Sequence, residues 1–105
     1  MFVTLKSKKQ LHYAEAEFDE KSITVFKGAK INLIDAFPKM PKTIIDLRHN
    51  NTIVDEDGEL LSDVTFNSLT AAAQFVTGRS VNGYIAWRPN DKMSMKEYLN
   101  KKQKD

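Results

Sequence analysis

The sequence predicts an α+β fold, with a mostly antiparallel sheet and two or three short helices packed on it. Three observations support this class. Three runs of alternating side chains occupy residues 1–26, an Ala-rich helical stretch follows Phe66, and Ser94 and Glu97 have the spacing of a helix capping box. Alternation with a period of two predicts strands, whereas apolar residues spaced by three and four predict amphipathic helices.

Length and composition indicate one small domain. The chain has 105 residues, of which 41% are hydrophobic and 29% charged, and this is enough for a single small core. No internal repeat, low-complexity block or linker divides the sequence. We therefore expect one globular domain over residues 1–101 and a flexible Lys-rich tail over 102–105.

The absence of cysteine excludes disulfides, thiol catalysis and thiolate metal sites. The first residues lack the basic flank and apolar run of a signal peptide. No stretch approaches the roughly 20 apolar residues that a membrane helix needs. We expect a cytoplasmic protein without a membrane partner.

Three strands are predicted near the N-terminus. Val3 and Leu5 share one face of the first run, and the alternation continues in a second run over 12–18. A third run, 22–26, is rich in β-branched residues, which are typical of strands. Residues 19–21 predict a hairpin turn between the last two strands.

The middle of the chain predicts one short helix. Pro38 and Pro41 oppose a long helix in residues 29–42. After Pro41, apolar residues follow at helical spacing, and proline fits the first turn of a helix because its missing N–H leaves no hydrogen bond unmade there. Asn50 and Asn51 predict its end.

Residues 53–66 predict a strand pair around an Asp57-Gly58 turn, because Asp-Gly between apolar runs favours a hairpin. The acidic residues 55–59 superficially resemble a calcium loop. They lack the ligand spacing and the terminal bidentate glutamate of an EF-hand. We interpret them as a solvated turn.

The stretch after Phe66 predicts a capped helix. Asn67 or Ser68 supplies the N-cap oxygen, and Gly78 stands where a helix-terminating glycine belongs. The expected buried stripe consists of Leu69, Ala72, Ala73 and Val76. Asn82-Gly83 predicts a tight turn, and the aromatic-rich residues after it predict a strand.

A final helix is predicted over about 95–101 from its capping box, in which Ser94 is the N-cap and Glu97 the third helical residue. We expect it to dock through Met95, Tyr98 and Leu99.

Charge is unevenly distributed along the chain. The net charge is only +2, from 16 basic and 14 acidic residues. Five acidic residues and no basic ones lie within 53–63, whereas seven basic and three acidic residues lie from Val64 onward. A local basic field favours encounter with polyanions even when the total charge is small.

The candidate binding residues lie on the connection after the Ala-rich helix and on the predicted strand and loop that follow it. The nucleic-acid-binding candidates are Arg79, Ser80, Asn82, Arg88 and Lys92. Arginine offers a planar fork that matches phosphate or a guanine edge, and serine and asparagine can bind phosphate oxygens or base edges. Two of them have a simpler interpretation: Arg79 as a buried ion pair or a cap for backbone carbonyls, and Asn82 as a residue that favours a turn. Trp87 is either a core residue or a stacking platform for a base.

No catalytic or metal-binding constellation is visible in the sequence. His12 and His49 lie on different elements, and neither has a His, Asp or Glu partner at metal-ligand spacing. Ser68 and Ser80 have no histidine nearby that would activate them. We expect a protein that is not an enzyme and that has no cofactor or metal.

Residues 68–87 read Ser-Leu-Thr-Ala-Ala-Ala-Gln-Phe-Val-Thr-Gly-Arg-Ser-Val-Asn-Gly-Tyr-Ile-Ala-Trp. They resemble a small uncharacterised domain at the C-terminus of GIY-YIG nucleases and restriction-system proteins. The matching features are the serine start, the Ala-Ala helix, Gly-Arg-Ser, Asn-Gly and the tryptophan. A restriction-methylase-associated (RAMA) domain with a related layout is linked to DNA. This chain departs from the family in lacking a proline near Leu69 and in having Tyr84 where tryptophan is common.

The resemblance implies an accessory domain in a nucleic-acid context. We expect a non-catalytic DNA-binding or DNA-targeting module of a restriction, defence or mobile-element system. The alternative is a protein-interaction module, as a monomer or a homodimer, that docks onto a nuclease or methylase partner. In that case exposed Phe37, Met40 and Phe75 would be its anchors.

Overall fold

A four-stranded antiparallel sheet, with its strands in chain order, forms one layer of the computed structural model, which describes residues 1–7, 9 and 11–103. The strands in these residues are β1 (Phe2–Lys6), β2 (Tyr13–Phe18), β3 (Ile23–Val25) and β4 (Val64–Phe66), and the helices are α1 (Lys42–Arg48), α2 (Leu69–Thr77), α3 (Gly83–Ala86) and α4 (Met95–Gln103). The α+β class is confirmed, with four helices in the described part of the chain where two or three were predicted. None of these helices is long and apolar enough to cross a membrane.

The buried face of the sheet follows from the predicted alternation. The core-facing pairs are Val3 with Ala16, Leu5 with Ala14, Ala16 with Val25, and Ile23 with Phe66. Successive side chains on a strand point to opposite faces, so this register places every one of these residues on the same side. Helix α2 packs against β3 and β4. The three N-terminal strands are thereby confirmed.

The predicted hairpin between β2 and β3 is also confirmed. The Asp19 carboxylate accepts the N–H groups of Lys21 at 3.1 Å and Ser22 at 2.8 Å. These backbone hydrogen bonds favour the ionised form and lower the pKa of Asp19. Glu20 takes a positive φ of 81° at the tip, a conformation that is uncommon outside glycine.

The region from Pro41 to β4 differs from the prediction in part. Helix α1 begins directly after Pro41, which is its N-cap residue. The predicted strand pair over 53–66 is wrong in extent, since only β4 forms a strand and Val54 and Leu60 make an isolated bridge. The Asp55 carboxylate accepts the N–H groups of residues 57 and 59, both at 2.9 Å. The residues after this turn pair mainly with 28–31: Leu60 N–H donates to the Ala29 carbonyl and Gly28 N–H to the Leu60 carbonyl, both at 2.8 Å.

Helix α2 confirms its predicted ends and its buried stripe. The Ser68 hydroxyl oxygen accepts the N–H of Ala71 at 3.0 Å, so Ser68 is the N-cap and Asn67 is not. Gly78 ends the helix with a φ of 68°. The buried residues are Leu69, Ala72, Ala73, Phe75, Val76 and Thr77.

The strand predicted after Asn82-Gly83 is wrong, because this segment forms helix α3. The Asn82 side-chain oxygen accepts the N–H of Tyr84 at 2.9 Å and caps the helix. Asparagine is a favourable N-cap residue, and Asn82 caps α3 instead of forming the predicted tight turn. Trp87 follows the helix, is fully buried, and donates its ring N–H to the carbonyl of Leu69 at 3.0 Å.

Helix α4 confirms the capping box. Ser94 N–H donates to Glu97 Oε1 at 3.3 Å, and Glu97 N–H donates to Ser94 Oγ at 3.2 Å. The helix continues to Gln103, two residues into the segment predicted as a tail. The last two tail residues, Lys104 and Asp105, lie outside the described residues.

A buried arginine fixes the loop before α1. Arg48 is 5% exposed and donates to the carbonyls of Asn32 at 2.6 Å and Phe75 at 2.7 Å. It also donates to the Asp35 carboxylate at 2.8 Å. Burial alone would raise the pKa of Asp35, but hydrogen bonds from Arg48 and His49 hold it below the usual value. One side chain thereby joins α1, α2 and the loop.

Candidate nucleic-acid interface

The connection between α2 and α3 carries Arg79 on the surface. The Thr77 hydroxyl oxygen accepts the N–H of Arg79 at 3.1 Å, and Gly78 reverses the chain just before it. Arg79 is exposed, and no ion pair involves it in the part of the chain that the structure describes. It is therefore not the buried ion pair that the sequence left open.

The β1–β2 hairpin faces this connection. Ser7 organises the hairpin: its hydroxyl oxygen accepts the N–H of Leu11 at 2.7 Å, and its own N–H donates to the carbonyl of His12 at 3.2 Å. Together the hairpin and Arg79 line an open groove of about 360 Å³. We call this space the cationic groove.

The lining of the cationic groove combines basic and apolar side chains. Its residues are Leu5, Lys6, Ser7, Lys9, Leu11, His12, Thr77, Arg79, Val81 and Ala86. Three basic residues and a histidine are thus among the lining residues, and no acidic residue lines the groove among residues 1–7, 9 and 11–103. The Lys6 ammonium lies 5.8 Å from the centre of the Tyr13 ring, which is outside the lining. Because like charges are gathered without a counter-charge in the lining, the groove carries a local positive field suited to an anion.

His12 is electrostatically coupled to Arg79. Burial lowers the pKa of His12, and the positive charge of Arg79 lowers it further. The imidazole Nδ1 is buried and has no hydrogen-bond partner among the described residues. Burial and the neighbouring charge of Arg79 therefore both disfavour the cationic form of His12.

The pKa shift of His12 predicts a pH-dependent stability. In the unfolded chain His12 takes up a proton near pH 6.5, whereas the folded chain resists protonation until a lower pH. The free energy of unfolding should consequently fall as pH drops from about 7 to about 5. His12→Gln should reduce this loss, which urea denaturation at several pH values measures.

Arg79→Ala provides the matching electrostatic control for His12. Removing the charge should raise the pKa of His12 towards its ordinary value, and an NMR titration of the imidazole reads this directly. An unchanged His12 pKa in Arg79→Ala, or equal acid sensitivity in His12→Gln and the parent protein, would contradict this coupling.

The other sequence-predicted candidates do not line the cationic groove. Of the five, only Arg79 lines it. The Asn82 oxygen is used as the cap of α3, and Ser80 is exposed on the same connection. Arg88 is half-buried, exchanges backbone hydrogen bonds of 2.9 Å with Thr4, and donates to the Asp91 carbonyl at 3.4 Å. Lys92 is exposed in the turn between α3 and α4.

Several aromatic and apolar predictions are corrected by burial. Trp87 is not a stacking platform, because its ring is fully buried. Phe75 and Met40 are core residues at 0% and 5% exposure, and Phe37 is half-buried. The prediction that these three side chains are exposed anchors for a protein partner is therefore wrong.

The sequence analysis missed the contribution of the N-terminal hairpin. Lys6, Lys9 and His12 lie more than sixty residues before Arg79. They are outside the basic C-terminal part of the chain, on which the predicted site was based. The available signal was the basic run Lys6-Ser-Lys-Lys9 between two predicted strands, since side chains on such a connection project from a rigid scaffold.

Fold and groove together define a small α+β domain that presents an open cationic groove beside an edge of its sheet. Residues 4–99 match the family described as Domain of unknown function (DUF4357), and the chain belongs to this family. No curated protein and no solved structure gives a significant match to the chain.

Proposed function

We propose that the chain is a non-catalytic DNA-binding or DNA-targeting accessory module that contacts phosphates with its cationic groove. The observation that carries the proposal is that Lys6, Lys9 and Arg79 all line one groove whose described lining has no acidic residue. Phosphate contacts from lysine and arginine supply most non-specific affinity for DNA. They also position a protein on the duplex without reading its sequence.

The biological context rests on the resemblance of residues 68–87. This stretch resembles a domain of GIY-YIG nucleases and restriction-system proteins, and the resemblance supports a role in restriction, defence or a mobile element. A targeting role without catalysis fits the groove, because its described lining offers His12 no carboxylate partner for acid–base work. Arg88 and Lys92 would extend the phosphate contact along the neighbouring loop.

Binding through the groove should depend strongly on salt. Three neutralised phosphates give a slope of about −2.7 in log affinity against log salt, or about a 40-fold loss between about 50 mM and about 200 mM salt. Arg79→Ala should reduce the slope to about −1.8. Fluorescence anisotropy with a labelled duplex measures both values.

Lys42→Ala is the matched control for charge. It removes one positive charge from an exposed position on α1 that does not line the groove, and the slope should stay near about −2.7. Equal effects of Lys42→Ala and Arg79→Ala would mean that net charge matters and the groove does not. Absence of binding by the parent protein at low salt would reject the DNA proposal.

A protein-interaction module remains the second candidate, now on different residues. Leu33 and Ile34 are adjacent and 52% and 63% exposed, and Tyr84 and Ile85 form a second exposed pair on α3. Apolar contact with a nuclease or methylase partner, or with a second copy, would persist at high salt. DNA binding by the cationic groove would not.

A further inference from the structure

We propose that the cationic groove takes a single unpaired nucleotide, with its phosphate against Lys6, Lys9 and Arg79 and its base against the apolar part of the lining. This inference rests on the proposed function and adds the form of nucleic acid that the groove prefers. It is carried by two observations: the apolar lining and the volume of the groove.

The apolar lining is more than phosphate contact requires. Leu5, Leu11, Val81 and Ala86 lie in the same groove as the cations. Leu11 is 43% exposed at the hairpin, so its side chain presents apolar surface that stays in water when the groove is empty. A nucleobase has apolar faces, and proteins that bind extrahelical bases hold them between aromatic or apolar side chains.

The volume of the groove fits a ligand larger than phosphate alone. At about 360 Å³ it lies at the lower end of the range of small-molecule sites, about 300–1,000 Å³. A lining that contains both basic and apolar side chains favours an amphipathic ligand. A nucleotide combines an anionic phosphate and a flat apolar base within this size.

The base must be unpaired to use this lining. Inside a duplex its faces are stacked and its pairing edge is occupied, so an enzyme or binding protein reaches them only when the base is extruded or single-stranded. A duplex can still place its phosphates on the cations. The groove should therefore bind duplex DNA weakly and an unpaired nucleotide more tightly.

The test compares three labelled DNAs by fluorescence anisotropy at one salt concentration: a duplex, the same duplex with a single bulged nucleotide, and the same bulge without its base. We expect the base-bearing bulge to bind about tenfold tighter than the duplex. The abasic bulge should stay within about twofold of the duplex. The abasic arm separates recognition of the base from the added flexibility of the backbone.

Leu11→Ser tests the apolar lining directly. It should reduce the ratio of bulge affinity to duplex affinity to about twofold, because it removes apolar surface and no charge. Leu33→Ser is the matched control: Leu33 is 52% exposed, does not line the groove, and its replacement should preserve the tenfold preference.

The outcomes separate the inference from the proposed function. Salt-dependent duplex binding without a preference for the base-bearing bulge overturns the nucleotide site alone, as does an abasic bulge that binds equally well. Loss of the preference in both leucine variants overturns the assignment to this groove. Failure to bind any of the three DNAs overturns the proposed function and the inference together.

Discussion

Replacing Arg48 by methionine is expected to lower the free energy of unfolding by about 3 kcal/mol. Methionine keeps much of the length of the side chain but cannot donate a hydrogen bond. The carbonyl oxygens of Phe75 and Asn32 would lose their charged donor in a buried setting, and Asp35 would lose its strongest partner. Hydrogen bonds to charged groups are worth more than neutral ones, and leaving buried acceptors unpaired costs further.

The loss of stability should appear first in the loop around residues 32–36, which Arg48 contacts. Asn32 N–H donates to the Val76 carbonyl at 2.9 Å and Ala36 N–H to the Gly78 carbonyl at 2.8 Å, so both amides report on docking of the loop against α2. Amide hydrogen exchange at these two positions should accelerate in Arg48→Met even under conditions where the sheet stays protected.

Two variants control for this prediction. Arg88→Met removes a half-buried arginine whose side chain has one long hydrogen bond, and it should cost less than about 0.5 kcal/mol. Arg48→Lys keeps the charge but loses the planar fork, and its cost should lie between the two. Urea denaturation gives all three values. A cost for Arg48→Met no larger than that for Arg88→Met would show that the buried hydrogen bonds contribute little.

Gly83→Ala is expected to cost about 3 kcal/mol, at the upper end of the usual cost of overpacking. A Cβ on Gly83 would overlap the backbone of Leu69 and Thr70, which cannot rotate away as a side chain would. Helix α3 would have to move off the start of α2. The hydrogen bonds from Gly83 N–H to the Thr70 hydroxyl and from the Trp87 ring to the Leu69 carbonyl would break with it.

Trp87 provides the readout for Gly83→Ala, because it is the only tryptophan and is fully buried. Its fluorescence should shift to longer wavelength as water reaches the ring, together with a lower urea midpoint. Gly28→Ala is the control: Gly28 has a φ of +93° but nothing within 4 Å of an added Cβ. It should cost about 1–2 kcal/mol from backbone strain and leave the tryptophan spectrum unchanged. Equal costs would contradict the steric argument.

Local signals in the sequence predicted much of the fold correctly. The three N-terminal strands followed from alternation, and the caps of α2 and α4 followed from Ser68 and the Ser94–Glu97 pair. Each of these features is settled within a few residues, since strand alternation and helix capping use atoms that are close in sequence. Tertiary packing therefore did not alter the type of these elements.

The segment 82–87 shows where local signals failed. Asn-Gly followed by aromatic and β-branched residues is consistent with a turn and a strand, and equally with a capped short helix. Close contact between Gly83 and the start of α2, and the hydrogen bond from Trp87 to Leu69, occur only in the folded chain. These contacts join residues more than ten positions apart, which a local pattern does not encode.

The sequence by itself predicted the fold class and the DUF-type family correctly, and it named one residue that lines the groove, Arg79. Only the tertiary structure decided which residues accompany it. The antiparallel pairing of β1 with β2 turns the Lys6-to-His12 hairpin towards the end of α2, and burial removes Trp87 and Phe75 from the surface. The physical reason is that a groove is made of contacts between distant segments, whereas composition and spacing report only on neighbours along the chain.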